Sequence, residues 1–253
     1  MTKRWIGTAA AVLGALGLTA TAASAQMIRP WTGKGYFNVN GGAQTKARSQ
    51  TVSDSFPLYD ETASWDGTIG VGSSSIVDVS GGVRVWRNVA VGLGYSHYSK
   101  GTSAVINASV PDPLFFDQPH GSSVTVPGLE HKERDINLSV VYVMPISDLI
   151  DVSVFGGPAF FGLTKSVVTD VTIPAGGTAA TGATTTTVKR NGTGGHFGVD
   201  VRANLLRGLG GQLDLGVGIF LRYAGASVDF PEVNEGKVDV GGFQYGGGLR
   251  VRF

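Results

Sequence analysis

Read backwards from Phe253, the chain alternates. Val251, Leu249, Gly247, Tyr245, Phe243 and Gly241 share one parity, and Arg252, Arg250, Gly248, Gly246, Gln244 and Gly242 the other. Side chains of a strand point to opposite faces in turn, so this segment has one apolar and one polar face. The same period recurs upstream. From Gly35, Phe37, Val39, Gly41 and Ala43 oppose Tyr36, Asn38, Asn40, Gln44, Lys46 and Arg48. Val77, Val79, Val83 and Val85 oppose Asp78, Ser80, Arg84 and Trp86; Val89, Val91, Leu93 and Tyr95 oppose Ala90, Gly92, Gly94 and Ser96. Ile136, Leu138, Val140, Tyr142 and Met144 oppose Glu133, Asp135, Asn137 and Ser139. Val152 and Val154 oppose Asp151 and Ser153, before the pattern blurs at Gly156-Gly157-Pro158, where a bulge is expected. Phe197, Val199, Val201, Ala203 and Leu205 oppose His196, Asp200, Arg202 and Asn204; Leu213, Leu215, Val217, Ile219, Leu221 and Tyr223 oppose Gln212, Asp214 and Arg222. That makes eight strands.

The breaks alternate in length. Short ones fall at Arg87-Asn88, 145–149 and 207–210; longer ones are expected near 53–75, 100–132, 169–192 and 229–236. The second long stretch carries four prolines and the third is a Thr/Gly/Ala tract, both loop-like in composition. Asp66-Gly67 in the first is a turn signal for an extra hairpin, which would make ten strands. Long and short connections in alternation describe an antiparallel meander with short periplasmic turns and long outer loops.

Composition changes the picture in three places. Lys3 and Arg4, an apolar stretch and Ala23-Ser24-Ala25 read as a signal peptide over residues 1–25, cleaved after Ala25 so that the barrel domain is 26–253. Taking Lys3 and Arg4 from the 20 basic residues leaves 18 against 19 acids, so no basic excess points to nucleic acid. Cys is absent and only 15% of residues are charged, which is low for a surface facing water. Beyond the signal no apolar run approaches the roughly 18 residues of a membrane helix, so any crossing is made by strands.

Alternation alone does not separate a soluble barrel from a membrane one; the chemistry of the polar face does. It holds Gly, Ser, Asn and Gln with charges of both signs: Asp78, Arg84, Asp135, Asp200, Arg202, Asp214, Arg222 and Arg250. Such a set suits a narrow enclosed lumen in which acids and arginines neutralise one another. A Lys or Arg turned to lipid at the midplane would cost about 2–4 kcal/mol, so register is strongly set. Tyr36, Tyr95, Tyr142, Tyr223, Tyr245, Phe37, Phe197, Phe243 and Phe253 lie near strand ends, as interfacial girdles require. The expected fold is an all-β, closed, antiparallel up-and-down transmembrane barrel of eight strands, ten with the extra hairpin.

The signal, the eight alternating strands, "GYFNVNGGAQ", "DVSGGVRVWRNVAVGLGYS" and the terminal "FQYGGGLRVRF" together resemble bacterial outer-membrane barrels of the OmpA/OmpX/OmpW-like size class. The resemblance implies a porin-like barrel in the cell outer membrane, reached by export through the periplasm. It also implies that Phe243, Tyr245, Leu249, Val251 and Phe253 form the signal read by the barrel assembly machinery and periplasmic chaperones. Nothing follows Phe253, so no peptidoglycan-binding domain is expected.

Candidate chemistry is sparse. His97 and Ser99 share a face at a strand end, similar to the His-x-Ser of outer-membrane lipid A deacylases, in which imidazole takes the hydroxyl proton and an acid orients the ring. Lys100 replaces that family's Asn, and the next acid is Asp112, inside a loop. His97, His120, His131 and His196 are scattered, so no metal or cofactor is expected. The glycine runs precede no helix and are not phosphate loops; they relieve crowding or permit strand coiling. "PDPLFFDQP" is an apolar cluster in the longest expected loop, suited to covering the barrel mouth or meeting a partner. The sequence points to a non-enzymatic barrel with a structural or surface-interaction role and outer-membrane lipids as surroundings. A narrow channel for small or apolar solutes is the alternative, and lipid A modification comes third.

Overall fold

The computed structural model describes residues 29–45, 48–210, 212–231 and 236–253. The expected signal peptide, with Ala23 and Ala25, lies outside them, as do Lys46 and most of the tip of the last loop. Ten strands follow in order: β1 (Gly35–Gln44), β2 (Arg48–Leu58), β3 (Glu61–Val71), β4 (Ser74–Trp86), β5 (Val89–Val110), β6 (His120–Pro145), β7 (Ile150–Thr172), β8 (Gly182–Leu209), β9 (Leu213–Asp229) and β10 (Lys237–Arg252). Eight of them close a ring: β1 pairs with β4 and β10, β4 with β5, and β5 through β10 each with the next, all antiparallel. Closure leaves the sheet no open edge towards lipid in the spanning part. This is a transmembrane β-barrel.

The extra hairpin exists, but it decorates the ring instead of widening it. β2 pairs only with β3, and β3 pairs with the upper part of β5, Ser64–Ile69 against Ala104–Ser109. Its turn is not Asp66-Gly67. The chain reverses at Tyr59-Asp60, two residues at φ 53° and 62°, the backbone of a two-residue primed turn. Gly67 lies in mid-strand, where a Cβ would sit 2.2 Å from the Ile106 Cδ1. Packing under Ile106 explains that glycine.

The expected long loops are mostly strand. β5 to β8 run 22, 26, 23 and 28 residues, at least twice the roughly 9–11 that cross a bilayer. The stretch 100–132 holds the upper halves of β5 and β6, joined by 111–119; the stretch 169–192 holds those of β7 and β8, joined by 173–181. Above the membrane the outside is water, so the apolar residues change sides. On β5, Val91, Leu93 and Tyr95 face out, whereas Ala104, Ile106, Ala108 and Val110 are buried within. On β7 the change runs from outward Val154 to buried Ala159, Phe161, Leu163 and Val167. A phase change in the alternation reads, in sequence, as its loss. The expected bulge at Gly156-Gly157-Pro158 is such a place. Pairing there skips two residues, but Asn137↔Ala159 and Val140↔Gly156 keep one register. Register shifts fall instead on β7 between Val168 and Asp170, on β8 between Asn204 and Leu209, between Thr102 and Ala104, where β6 has the extra residue, and between Arg84 and Trp86. The last turns Trp86 outward although it follows Arg84 at even spacing.

Tyr95, Phe197, Tyr223, Phe243 and Tyr245 ring the upper apolar band, and Phe37, Tyr142 and Phe253 are exposed towards the lower edge. Tyr36 does not join them. Its parity is that of Asn38 and Asn40, so it points into the barrel, where its hydroxyl lies 2.1 Å from the position of a Cβ on Gly92.

The seam between first and last strands is close-packed on its inner face and open on its outer one. A Cβ on Gly248 would lie 1.8 Å from the Val39 carbonyl oxygen, whereas one on Gly41 would meet nothing within 4 Å. Gly248→Val is therefore expected to abolish the heat-modifiable folded band on detergent gels, and Gly41→Ala to preserve it. Proteinase K added to intact cells is expected to cut within 111–119 and 173–181 and to spare the strands beside them.

Candidate functional site

Two regions carry chemistry, the lumen and the extracellular dome. In the lumen, inward positions of all eight ring strands converge on three guanidinium groups. Arg222 of β9 donates to Asp78 at 2.9 Å, to the Ser96 hydroxyl at 2.6 Å and to the Gln244 side-chain Oε1 at 2.6 Å, with Asp135 at 3.9 Å. Arg250 of β10 meets Asp200 at 2.5 Å and also donates to the Asn40 side-chain Oδ1. The Asn40 amide in turn donates to Asp78 at 2.7 Å, joining the two centres, and the Asn137 amide donates to Asp135 at 3.0 Å. Arg202 lies 3.7 Å from Asp151 and donates to the Asp214 backbone carbonyl at 3.2 Å. Arg202 and Arg250 are 2% and 1% exposed. Buried charges of this kind persist only when paired and hydrogen-bonded.

Two of the eight expected lumen charges have other partners. Arg84 donates to the Trp31 backbone carbonyl and lies 5.9 Å from the indole centroid, and among the described residues no acid pairs with it. The Asp214 carboxylate accepts the Gly208 amide at 3.0 Å in the β8–β9 turn, at the periplasmic mouth. Four further charges belong to the interior. Asp151 accepts from Arg252 at 2.6 Å and anchors the lowest layer. Glu133 lies 2.7 Å from the His131 Nε2 and accepts the Gln44 amide at 3.0 Å and the Gly241 amide at 2.8 Å. Lys165 is buried near the top. Arg252, Asp151 and Glu133 already share the polar parity of their strands, so the alternation carried the signal for them. Lys165 lies where the phase has changed, and it did not. A Ser139–His196 contact of 2.8 Å also lies in the lumen, and among the described residues no acid meets the His196 Nδ1.

The network fills its space. A cavity of about 60 Å³ remains beside Asn40, Asp78, Asp200 and Arg222. Below it a vestibule of about 540 Å³ opens past Arg29, Lys34, Arg207 and Phe253. Above it an apolar core of Trp65, Ile69, Ile106, Leu129, Phe161, Leu163, Val228, Phe230 and their neighbours occupies the dome. Apolar residues thus close the top, and polar ones the middle.

At the crest of the dome, between β5 and β6, Leu114, Phe115 and Phe116 are 81%, 60% and 71% exposed. Their backbone is held from beneath. The Asp112 Oδ1 accepts the Leu114 amide at 2.8 Å and the Phe115 amide at 3.1 Å, while Oδ2 lies 2.9 Å from the His120 Nε2. The Leu114 amide first, then His120, hold the Asp112 carboxyl below its ordinary range. Glu61 of the hairpin accepts the Asp117 amide at 2.8 Å, tying the loop to β3.

The His97–Ser99 pair faces outward, but among the described residues no third member joins it. His97 pairs in register with Val77 and Arg134, and Ser99 with Lys132. Asp112 is engaged with His120, and among the described residues the His97 Nδ1 has no hydrogen-bond partner.

The chain matches no family model and no curated protein. Its structure is similar to solved small outer-membrane barrels. Ail of Yersinia pestis in complex with the heparin analogue sucrose octasulfate is 12% identical, with 86% of this chain and 99% of that one covered at a TM-score of 0.36. OprG of Pseudomonas aeruginosa is 11% identical over 87% and 97%, at 0.39. The outer-membrane protease OmpT of Escherichia coli is 9% identical over 90% and 99%, also at 0.39. The last corrects one expectation. An enzyme stands among the similar structures, so a non-enzymatic role does not follow from this architecture. The chain is an outer-membrane-type β-barrel, and its particular role is a matter for its own residues.

Proposed function

We propose that this protein is a barrel with a sealed lumen that acts at the cell surface, its dome presenting a preformed apolar loop to a partner. The observation that carries this reading is the Leu114–Phe116 tip, three bulky apolar side chains in water on a loop braced by Asp112, His120 and Glu61. A tip of this kind costs free energy unless something covers it. Bracing lowers the entropy lost when it is covered. The dome supports the same role, because strands this long and a dedicated apolar core hold the loop well clear of the membrane. The bacterial outer membrane is the compartment, reached with a cleaved signal peptide. The outward row Phe243, Tyr245, Leu249, Val251 and Phe253 is what the assembly machinery and its chaperones would read, and lipids surround the band.

The channel reading needs a path past Arg222 and through the apolar dome. The residual space of about 60 Å³ speaks against one. Refolded protein in planar bilayers is expected to show no stable unitary conductance; reproducible steps would overturn the sealed lumen. Cells carrying Leu114→Ser, Phe115→Ser and Phe116→Ser together are expected to adhere less to hexadecane droplets and to self-aggregate less than wild type, at equal surface amounts. Unchanged adherence in both assays would remove the tip from the function.

A further inference from the structure

The outer face of β5 to β8 changes character just above the apolar band. Tyr95, Ile136, Phe160 and Thr193 are aligned across these four strands. The next outward positions up the strands are His97, Arg134, Gly162 and Asn191, also aligned, and the next are Ser99, Lys132, Thr164 and Lys189. Neighbouring strands lie roughly 4.8 Å apart and successive outward positions roughly 6.8 Å. Lys132 and Lys189 are therefore about 10 Å apart with a threonine between them, and Arg134 sits one step below Lys132. Because the strands tilt, these rows climb away from the membrane towards β8.

Three cations thus stand on one wall with Ser99, Thr164 and Asn191 among them. One acid answers them, Glu130, 2.6 Å from Lys132. Among the described residues Arg134 and Lys189 have no carboxylate partner. The His97 Nδ1, at the lower edge, also has none. The opposite wall is different. The outward residues above Tyr223 and Phe243 are Gly225, Ser227, Gly241 and Asp239 on β9 and β10, and Ala43 and Ser75 occupy β1 and β4. One step higher on that wall Lys237 stands beside Asp229, at 4.0 Å, so among the described residues the three clustered cations belong to the β5–β8 side.

We infer that the Arg134, Lys132 and Lys189 face of β5 to β8 is a docking site for a phosphorylated lipid headgroup of the outer leaflet. Charge selects the ligand, since separated cations with interleaved hydroxyl and amide groups suit a head bearing phosphate. Position selects the source. The patch is continuous with Ile136 and Phe160 on the apolar band, so a lipid can set its chains on those residues while its head meets the arginine and lysines. A soluble anion would use only half of this surface. The leaflet follows from the outward orientation of the dome under the proposed function; the site itself does not depend on it.

The test uses the refolded full barrel in detergent with purified lipopolysaccharide, and native mass spectrometry counts the lipid retained. Wild type is expected to keep lipopolysaccharide through rising collision energy. The Lys132→Gln/Arg134→Gln/Lys189→Gln variant should bind on the order of a hundredfold more weakly. Lys237→Gln, on the opposite wall, should bind as wild type does, and enzymatically dephosphorylated lipopolysaccharide should bind as weakly to wild type as intact lipid does to the triple variant. Displacement of the lipid by millimolar inorganic phosphate would mean a free-anion site and overturn the assignment. Equal binding by the triple variant, judged folded by its heat-modifiable mobility, would do so as well. Should the triple variant fail to fold, Arg134→Gln alone decides by the same comparison, with an expected loss of about fivefold. None of these readouts involves the Leu114–Phe116 tip, so failure here and failure of the surface role are separable.

Discussion

Lipid around the ring leaves its arginines one direction in which to point, and inside the barrel each must be met by something that replaces water. Arg222 and Arg250, from neighbouring strands near the end of the chain, reach Asp78 three strands away and Asp200 two strands away and are joined through Asn40. Arg252 and Arg202 share Asp151 below them. Burying one guanidinium without its acid would cost several kcal/mol, so these pairs constrain the register of every strand they join. A slip by one residue would place the arginines in lipid and the valines in the lumen. The seal of the lumen follows from the same requirement, because charges that must touch leave little space between them.

The second constraint is that the solvent outside changes along the strands. In the spanning half, lipid demands apolar side chains outside and tolerates polar ones within. In the dome, water demands the reverse, and the four longest strands comply by exchanging their apolar and polar faces at about the level of Ser96 and Ala159. No change in backbone direction is needed. The sheet continues while its chemistry inverts, and the inverted part acquires an apolar core such as a soluble sandwich would have. The β2–β3 hairpin adds Val52, Trp65 and Ile69 to that core. The dome therefore carries its own packing above the membrane, and the short loops at its crest have a rigid base.

Both surfaces assigned a role depend on that inversion. The apolar tip is held away from the membrane by strands that would otherwise have ended at its edge. The cationic wall lies where the outward face has just become polar, next to residues that still face lipid. Polar outward residues on β5 to β8 at this level are required by water in any case. Their being arginine and lysine on one wall, with glycine, serine and aspartate on the other, is not.

The alternation of eight segments, read without coordinates, determined the barrel, the face turned to lipid and most of the lumen charges, because a period of two ties each residue to a face once the strand is known. It also held Asp151, Glu133 and Arg252, which share the parity of neighbours that were recognised. It did not reveal the dome. Ala104, Ile106, Ala108 and Val110 alternate as clearly as Val89 to Tyr95, but in the opposite phase, and prolines and threonines nearby made the stretch read as loop. The Asp66-Gly67 signal pointed to a hairpin that exists with its turn elsewhere, because a glycine can serve packing under Ile106 as well as a reversal. Partners lay further beyond reach. That Arg222 meets Asp78 and Arg84 meets Trp31 depends on how far each strand is staggered around the ring, and stagger is a property of closure. So is the alignment of Arg134, Lys132 and Lys189 from β6 and β8, which only pairing through β7 places on one wall.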